Sequence, residues 1–180
     1  MAVPANERVV FSSVFEALVR IVNTRKPELS EPLRKLGVDI TKLQAAYPAD
    51  VWKAATSCVA QALFPGLSVP VAEYKLGQVV IHEYEKTLIG RALMTTLRVV
   101  GPRRAFGRIS RSFRTANNYT EDKVTPLADN EYELWMNELH VPFVNQGVMQ
   151  AALEAIGAKN CTVEVKLRDS EGTTYRCTWA

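Results

Sequence analysis

The stretch "NCTVEVKLRDSEGTTYRCTW", residues 160–179, contains two segments in which every second residue is apolar, separated by a polar turn. Such alternation is typical of strands with one buried face, so the two segments predict a β-hairpin. A three-residue loop would place Cys161 directly opposite Cys177, but it would also move Gly172 into a strand. Turn chemistry therefore favours a five-residue loop over residues 168–172. In that register Val163 faces Cys177, Cys161 faces Trp179, and one face carries Val163, Val165, Leu167, Tyr175, Cys177 and Trp179.

The sequence before this hairpin predicts the other elements of a mixed fold. "FVNQGVMQAALEAIGA", residues 143–158, has the pattern of a helix that ends at Gly157, and "NYTEDKVTPLA" and "YELWMNEL" are typical of two strands. We expect one α+β domain over residues 1–180, with a mainly helical part over residues 10–116 and a four-stranded antiparallel sheet within residues 117–180. The side chains predicted to face the helices are Tyr132, Leu134, Met136, Val163, Val165, Tyr175 and Trp179.

Helical periodicity dominates the chain before residue 117. Apolar residues recur at helical spacing over residues 10–23, 51–63 and 69–99, and a shorter helix is expected to end at Gly37. Gly90 is expected to divide the longest of these segments. Pro102 then begins another helix at its first turn, where a proline is tolerated.

Composition indicates a cytoplasmic protein with reduced cysteines. The longest apolar candidate, residues 9–22, is interrupted by Glu16 and Arg20, so no membrane span is expected. The amino terminus also lacks the pattern of a signal peptide. Three scattered cysteines are too few for a disulfide framework.

The charges are distributed unevenly along the chain. Residues 86–120 contain eight lysines and arginines and no acid, whereas the rest of the chain has 14 basic and 19 acidic residues. A helix over residues 102–113 would carry an apolar face of Phe106, Ile109 and Phe113 opposite an arginine face of Arg104, Arg108 and Arg111. Arginine binds phosphate and carboxylate through two parallel hydrogen bonds, so this face predicts an anionic partner. A solvated surface, or one that docks on the acidic remainder of the chain or on a second subunit of a homodimer, explains the same pattern.

The segment "SFRTANNYTE", residues 112–121, joins this helix to the first strand of the sheet. Asparagine tolerates the left-handed conformation that ends many helices, so the adjacent asparagines predict a cap and a turn. The same residues are expected to form a ligand-binding lip where helix and sheet meet. The candidate ligand-binding residues are Arg104, Arg108, Arg111, Arg114, Asn117, Asn118 and Tyr119.

Several strings along the chain resemble the shared signature of an uncharacterised paralogous protein family expanded in myxobacteria, a domain of unknown function. They are "TLIGRAL", "GPRRA", "FRTANNYTE", "ELWMNE" and "TYRCTW", and the resemblance extends from about Phe11 to Trp179 without implying an established activity. More remotely, "GVMQAALEAIGAKNCTVEV" is similar to the ends of 4-vinyl-reductase-like and haem nitric-oxide-binding domains. That similarity implies a helical layer on a four-stranded sheet and a role as a ligand sensor or adaptor.

The sequence lacks the motifs of the common cofactor and catalytic sites. Haem nitric-oxide sensors hold the porphyrin propionates with a Tyr-x-Ser-x-Arg motif, and none of the six tyrosines begins one, so no haem or other cofactor is expected. The cysteines and histidines match no zinc pattern, which leaves His82 on a solvated helix face and His140 in a loop. No nucleophile elbow, phosphate loop or dinucleotide fingerprint is present. Burial could raise the pKa of Glu83, although a partner on a neighbouring helix explains this acid better.

These observations predict a non-enzymatic regulatory, sensory or adaptor domain that binds a small ligand or a protein partner. An alternative is a binder of a phosphorylated small molecule or nucleotide second messenger that uses the arginine-rich helix. Nucleic-acid binding is a further alternative, disfavoured by the modest net charge of +3 and by the absence of a DNA-reading motif.

Overall fold

The computed structural model describes residues 3–180, except for the side chains of Ala5, Ile109 and Ser110. The predicted helices are present with ends that differ by a few residues, except for the helix predicted over residues 102–113, which is divided. None of the described helices combines the length and apolar character that crossing a membrane requires. The helices are α1 (Ser12–Arg25), α2 (Ser30–Lys35), α3 (Ala49–Leu63), α4 (Val69–Tyr84), α5 (Leu88–Phe106), α6 (Ile109–Phe113) and α7 (Pro142–Ala155).

Six strands form two sheets in the described chain. A pair of three-residue strands, β1 (Val9–Phe11) and β2 (Ala46–Pro48), lies in the helical part and was not predicted, because three residues are too few to show an alternating pattern. The main sheet is antiparallel with the order β3-β4-β6-β5, which confirms the predicted α+β fold. Its strands are β3 (Asp122–Ala128), β4 (Glu131–Met136), β5 (Thr162–Arg168) and β6 (Thr173–Thr178).

One face of the main sheet is covered by helices, as the alternation predicts. The side chains of Tyr132, Leu134, Met136, Val163 and Tyr175 are buried there. Val165 and Trp179 are half-buried and pack against the same cluster.

The β5–β6 hairpin departs from the predicted register near its turn. Val163 pairs with Cys177 as predicted, but the register shifts by one residue between Val165 and Leu167. A β-bulge of this kind turns the following side chains to the other face of the sheet. Leu167 is consequently 57% exposed, so its predicted place on the inner face is wrong.

The turn itself is shorter than predicted. β5 continues through Arg168, and four residues rather than five join it to β6. The carboxylate of Asp169 accepts hydrogen bonds from the backbone N–H groups of Glu171 (2.8 Å) and Gly172 (3.0 Å). These bonds favour a tight turn that the alternation of apolar residues does not encode.

Helices α4 and α7 connect the helical part to the sheet through a close backbone contact at two glycines. A Cβ atom on Gly77 would lie 2.1 Å from the carbonyl oxygen of Val144, and one on Gly147 would lie 2.0 Å from that of Tyr74. Real Cβ atoms essentially never approach other atoms this closely. Glycine is therefore required at both positions for the two helices to pack as they do.

Buried apolar side chains form two hydrophobic clusters. The helical cluster includes Phe15, Leu18, Ile21, Trp52 and Leu76 and fills the space between α1, α3 and α4. The sheet cluster lies between α5, α7 and the inner face of the main sheet, and it includes Met94, Phe106, Leu134, Met136 and Tyr175.

The segment from α4 to α5 turns at residues 85–87, close to the interruption predicted at Gly90. The hydroxyl of Thr87 caps α5 by accepting a hydrogen bond from the Gly90 N–H at 3.0 Å. A Cβ atom on Gly90 would lie 1.9 Å from the carbonyl oxygen of Tyr84, so this turn also requires glycine. The glycine thus marks a tight turn just before it rather than a break at its own position.

Helix α5 is kinked, and the predicted arginine-rich helix is not continuous. Gly101 has φ 74° and ψ 169°, and the helix restarts at Pro102 as predicted. The prediction of one helix over residues 102–113 is nevertheless wrong, because α5 ends at Phe106 and two residues separate it from the start of α6 at Ile109. Gly107 has low helix propensity, and the N–H of Arg108 donates to Ala105 at 2.9 Å in a tighter turn. The side chain of Ile109 lies outside the described residues.

Candidate functional site

A cavity of about 150 Å³ lies where the helical cluster and the sheet cluster meet. Its walls are formed by α4, α5 and α7, by the start of α1 and by the segment that follows α6. Most of the surface is apolar and includes the side chains of Val10, Trp52, Met94, Phe106, Val144 and Met149. The cavity therefore has room for a small molecule, and its surface is mainly apolar.

A buried carboxylate, Glu138, organises the polar side of this cavity. Its side chain accepts hydrogen bonds from the Tyr119 hydroxyl (3.3 Å) and from the backbone N–H groups of His140 and Val141. Only 3% of Glu138 is exposed. Burial, together with the neighbouring carboxylate of Glu138, raises the pKa of Tyr119 well above its usual range, so its hydroxyl stays a neutral donor.

Tyr84 lies in the cavity wall and has a hydroxyl group without a partner. The residue is 6% exposed, and its hydroxyl oxygen is fully buried without a hydrogen bond to any described residue. Its polar neighbour Thr115 donates its own hydroxyl to the carbonyl oxygen of Ser112 at 2.7 Å. Burial raises the pKa of Tyr84, which keeps the group protonated near neutral pH.

The arginines predicted to bind a ligand lie on the outside of the molecule and not at the cavity. Arg104, Arg108 and Arg111 are exposed, and none of them takes part in a salt bridge between described residues. Arg114 is also exposed and donates from Nε to the carbonyl oxygen of Thr120 at 3.2 Å. Phe106 is buried and Phe113 half-buried on the inner side of this segment. An anionic partner of these arginines would therefore bind at the surface.

The two predicted asparagines have structural roles of different kinds. Asn117 is 6% exposed, and its side-chain oxygen accepts hydrogen bonds from the backbone N–H groups of Tyr119 (3.0 Å) and Thr120 (2.8 Å). Asn118 accepts from the N–H of Val9 at 2.9 Å and so fastens this segment to β1. Neither has the left-handed conformation that was expected, since Asn160 is the sole described non-glycine residue with positive φ. Side-chain hydrogen bonds, rather than backbone conformation, explain the turn.

The seven predicted ligand-binding residues therefore do not form one site. Asn117 and Tyr119 line the cavity, Asn118 pairs with β1, and the four arginines lie on the surface. Their role in binding stays a prediction.

Glu83, the acid singled out in the sequence, is buried and paired. Its carboxylate lies 2.7 Å from Lys86 Nζ and 3.4 Å from Arg20 Nε on α1, as expected for a partner on a neighbouring helix. Burial alone would raise the pKa of Glu83, but the hydrogen bonds and charges of Lys86 and Arg20 lower it below the usual value. Glu73, which the sequence analysis did not single out, is also buried, and the burial raises its pKa.

The cysteines and histidines do not come together at the cavity. Cys161 and Cys177 are buried free thiols, and burial raises the pKa of Cys161 to about 12. His82 is exposed on α4, and His140 lies in a loop with Nδ1 3.2 Å from an Asp50 oxygen. Within residues 3–180, no group of three metal-binding side chains was found.

The cavity and the residues that give it polarity were missed by sequence reasoning. Tyr84 follows Glu83 directly, and Glu138 and Asn145 lie on either side of the start of α7. In the sequence these residues look like members of ordinary apolar or polar patterns. Their proximity depends on how α4 packs against α7, which no local pattern encodes.

The fold is similar to that of solved H-NOX proteins. An H-NOX protein from S. oneidensis in the Fe(II)NO ligation state aligns with a TM-score of 0.69 and 10% identity over 94% of this chain and 99% of that one. An Fe(II) unliganded H-NOX protein from K. algicida aligns with a TM-score of 0.64 and 10% identity over 93% of this chain and 95% of that one. At these identities the likeness shows the fold alone.

The side chains at the cavity do not fit haem, the group named for other H-NOX structures of this fold. Neither histidine nor cysteine, two of the axial ligands that haem iron takes, lines the described part of the cavity, although methionine and tyrosine side chains do. No described lysine or arginine lies in the wall to pair with the two propionates. A volume of about 150 Å³ matches engineered cavities that take up benzene or xenon, which are far smaller than a porphyrin.

Comparison with proteins of curated function finds no match to this chain. The family described as "Protein of unknown function (DUF2378)" matches residues 8–180. This range includes helices α1 to α7, the strands of both sheets and every described residue of the cavity wall. The chain therefore belongs to the DUF2378 family, with the fold of the H-NOX proteins and a cavity whose residues do not fit their haem.

Proposed function

We propose that this protein is a non-enzymatic sensory or adaptor domain that binds a small ligand in the cavity between the helical cluster and the sheet cluster. The observation that carries the proposal is the cavity itself, about 150 Å³ in volume and lined by helices from both parts of the chain. Apolar space of this size is uncommon in a well-packed interior, and it forfeits contacts that a ligand would restore.

The surroundings of the cavity support binding rather than catalysis. The carboxylate of Glu138 accepts hydrogen bonds from three donors, and Glu83 has a pKa below its usual value. Glu83 therefore lacks the raised pKa that a general acid needs near neutral pH. The proteins of similar fold are described in Fe(II) and Fe(II)NO states, which supports a ligand-binding role for this architecture.

A variant that fills the cavity tests the proposal. Ala152 on α7 lines the cavity, and Ala152→Phe would introduce a ring of about the size that the cavity can hold. Ala92→Phe introduces the same ring on the exposed side of α5 and serves as the matched control. Binding of benzene-sized ligands is measured by chemical-shift changes in a backbone amide NMR spectrum.

We expect the unaltered protein and Ala92→Phe to bind such ligands, with shift changes at cavity residues. Ala152→Phe should lose binding while keeping a dispersed spectrum. If benzene, toluene and xenon leave the spectrum of the unaltered protein unchanged, or if Ala152→Phe binds them equally well, the proposal is overturned.

A second candidate function is the binding of a phosphorylated small molecule or nucleotide through the exposed arginines. The observation that favours it is the set of three exposed guanidinium groups, Arg104, Arg108 and Arg111, which form no salt bridge with a described residue. Such a ligand would bind outside the cavity, because no described cation lines the cavity wall. Salt-dependent binding of nucleotides, lost when the three arginines are replaced, is the test.

A further inference from the structure

Helix α5 presents a line of apolar side chains to solvent. Leu88 is 87% exposed and Val99 is 83% exposed, the two highest values among the large hydrophobic side chains of the described chain. Ala92 lies between them and is also exposed. A turn of about 100° per residue places these three residues within about 40° of one another, on one side of the helix. Single exposed apolar residues are ordinary, but an aligned set is a candidate interaction surface.

No charged side chain interrupts this apolar line. The charged residues in this part of α5 are Arg91 and Arg98, and the same rotation places both about 60° to 120° away from the line. Arg98 is directed back to the protein, where it donates to the carboxylate of Glu85 at 2.6 Å. The hydroxyl of Thr96 donates to the carbonyl oxygen of Ala92 at 3.0 Å, so it needs no water. The line can therefore leave water without breaking a polar contact.

Unpaired positive charge borders the apolar line. Residues 86–120 contain eight lysines and arginines and no acid. Four of these cations are exposed and form no salt bridge with a described residue, and they are Arg91, Arg104, Arg108 and Arg111. We refer to the apolar line together with these four arginines as the α5 face. Its partner must offer apolar contact and negative charge side by side.

The outline and the charge of the α5 face argue against a protein partner. Leu88 and Val99 are about 16 Å apart along the helix axis at 1.5 Å per residue. The exposed side chains between them, those of Ala92, Thr95 and Thr96, are small. A helix that docks in a protein groove instead uses anchors on successive turns. A second copy packed on the same face by a two-fold axis would bring unpaired arginines together, and like charges oppose association.

A bilayer that contains anionic lipids meets both requirements. Its headgroups carry phosphate and carboxylate groups that arginine binds, and its acyl chains adapt to apolar side chains of any spacing. Clusters of four to eight basic residues beside an apolar helix face are typical of proteins that bind anionic lipids.

We propose that the α5 face docks on an anionic lipid bilayer. Leu88 and Val99 enter the boundary between headgroups and acyl chains, and the unpaired arginines bind the headgroups. Docking of this kind leaves the whole chain on one side of the bilayer. The inference goes beyond the proposed function and does not depend on the cavity.

Vesicle binding by the full chain tests the apolar part of the inference. The probes are vesicles of phosphatidylcholine alone and vesicles of equal parts phosphatidylcholine and phosphatidylserine, and the dissociation constant is measured by co-sedimentation. The apolar variant combines Leu88→Gln with Val99→Gln. Its matched control combines Leu67→Gln with Leu167→Gln, two exposed leucines that lie outside the cationic segment.

A second pair of variants tests the charges. The charge variant combines Arg91→Gln with Arg104→Gln. Its control combines Lys35→Gln with Lys42→Gln, which removes the same charge from exposed residues outside the cationic segment. All eight replaced side chains are exposed, so each variant should melt at the temperature of the unaltered protein.

The unaltered protein and both controls should bind the phosphatidylserine vesicles at least about 10-fold more tightly than those of phosphatidylcholine alone. The charge variant should bind the anionic vesicles about 10- to 30-fold more weakly, because each basic residue near the surface contributes about fivefold. The apolar variant should lose about 10-fold or more, as two side chains stay in water.

The inference is overturned if the unaltered protein does not bind the phosphatidylserine vesicles or binds both kinds of vesicle equally. It is also overturned if the apolar variant binds as tightly as its control, because the arginines alone would then bind phosphate as they would on any polyanion. Sedimentation velocity without lipid supplies a further check. A dimer that the apolar variant abolishes would assign the α5 face to a second copy of the chain instead.

Discussion

The helical part of the molecule meets the sheet in two ways, tightly between α4 and α7 and loosely beside α5. At the tight contact the backbones approach so closely that Gly77 and Gly147 leave no room for a Cβ atom. Beside α5, about 150 Å³ remains unfilled between the two clusters. Since both contacts join the same two parts, the difference suggests a rigid connection on one side that holds an open space on the other.

Replacing a glycine at the tight contact should have the largest effect on stability. Gly147→Ala would place a methyl group 2.0 Å from the Tyr74 carbonyl oxygen, and backbone cannot move aside as cheaply as the end of a side chain. We expect a loss of about 3 kcal/mol or more in the free energy of unfolding, measured by urea denaturation. Gly107→Ala is the control, because its Cβ would lie 3.7 Å from the nearest atom and its φ of −65° suits alanine. A small effect of Gly147→Ala would show that α4 and α7 can separate readily.

Replacing one leucine in the helical cluster and one leucine beside the cavity with alanine compares the packing of these two regions. Leu76 is completely buried in the helical cluster, so Leu76→Ala should cost about 3 to 5 kcal/mol. Leu97 borders the cavity, where part of its side chain already lacks neighbours, and Leu97→Ala should cost about 2 kcal/mol. Both are measured by chemical denaturation at one pH. Equal losses would indicate that the cavity closes in solution.

Replacing Glu83 tests how much its ion pairs stabilise the end of α4, just before the turn that leads to α5. Its pKa is lowered by Lys86 and Arg20, so ionised Glu83 stabilises the fold above the usual pKa of 4.5, and this stability is lost as the pH falls through the folded-state pKa. Glu83→Gln should therefore cost about 1 kcal/mol at pH 7, and the difference should vanish in acid, as measured by melting from pH 7 to 3.

Glu73 lies on the same helix and serves as a control, because its ionisation is expected to lower stability where that of Glu83 raises it. Burial raises its pKa above the usual value of 4.5, so ionisation costs stability as the pH rises from that value through the folded-state pKa. Glu73→Gln should raise the melting temperature at pH 7 and leave it unchanged in strong acid. If both variants shift melting in the same direction, the opposite environments assigned to the two acids are wrong.

The smallest effect on stability is expected at the exposed arginines of the loosely packed side. Replacing Arg104, Arg108 and Arg111 together with glutamine should change the free energy of unfolding by no more than about 0.5 kcal/mol, because these surface side chains form no salt bridge with a described residue. Nucleotide binding through these arginines should weaken. The part of the affinity that is lost should depend on salt, since exposed charges are screened within about 10 Å at 0.1 M ionic strength.

Unfolding or dissociation of the triple variant would instead show that the arginines hold the fold or a second subunit. Unchanged binding of every nucleotide, with normal melting, would leave an ordinary solvated surface as the explanation.

Local patterns predicted the parts of the fold that local physics controls. Alternation in the β5–β6 hairpin correctly placed Val163 opposite Cys177, because a strand with one buried face admits few registers. Pro102 correctly marked the restart of α5 after the kink at Gly101. The exposure of Leu167 was missed, since a bulge shifts the register without changing the composition of the strand.

The candidate site was much less predictable than the fold. Arg104, Arg108 and Arg111 were recognised from charge and helical spacing, and they are exposed as that spacing requires. Asn117 and Asn118 were placed in a turn, but their hydrogen-bond partners, including β1 more than 100 residues away, could not be derived from the segment itself. The cavity has no sequence signature, because it is a space left between residues that are distant in the chain.

By itself, the sequence determined the longer helices, the four strands of the main sheet and its buried face, and the concentration of positive charge in residues 86–120. Each of these follows from residue type and short-range periodicity, which act within a few residues along the chain. Only the tertiary structure decided that Gly77 meets Gly147, that Glu138 is surrounded by donors and that Tyr84 lies at a cavity with its hydroxyl unpaired. These features depend on the relative positions of α4, α5 and α7, and packing over the whole chain sets those positions.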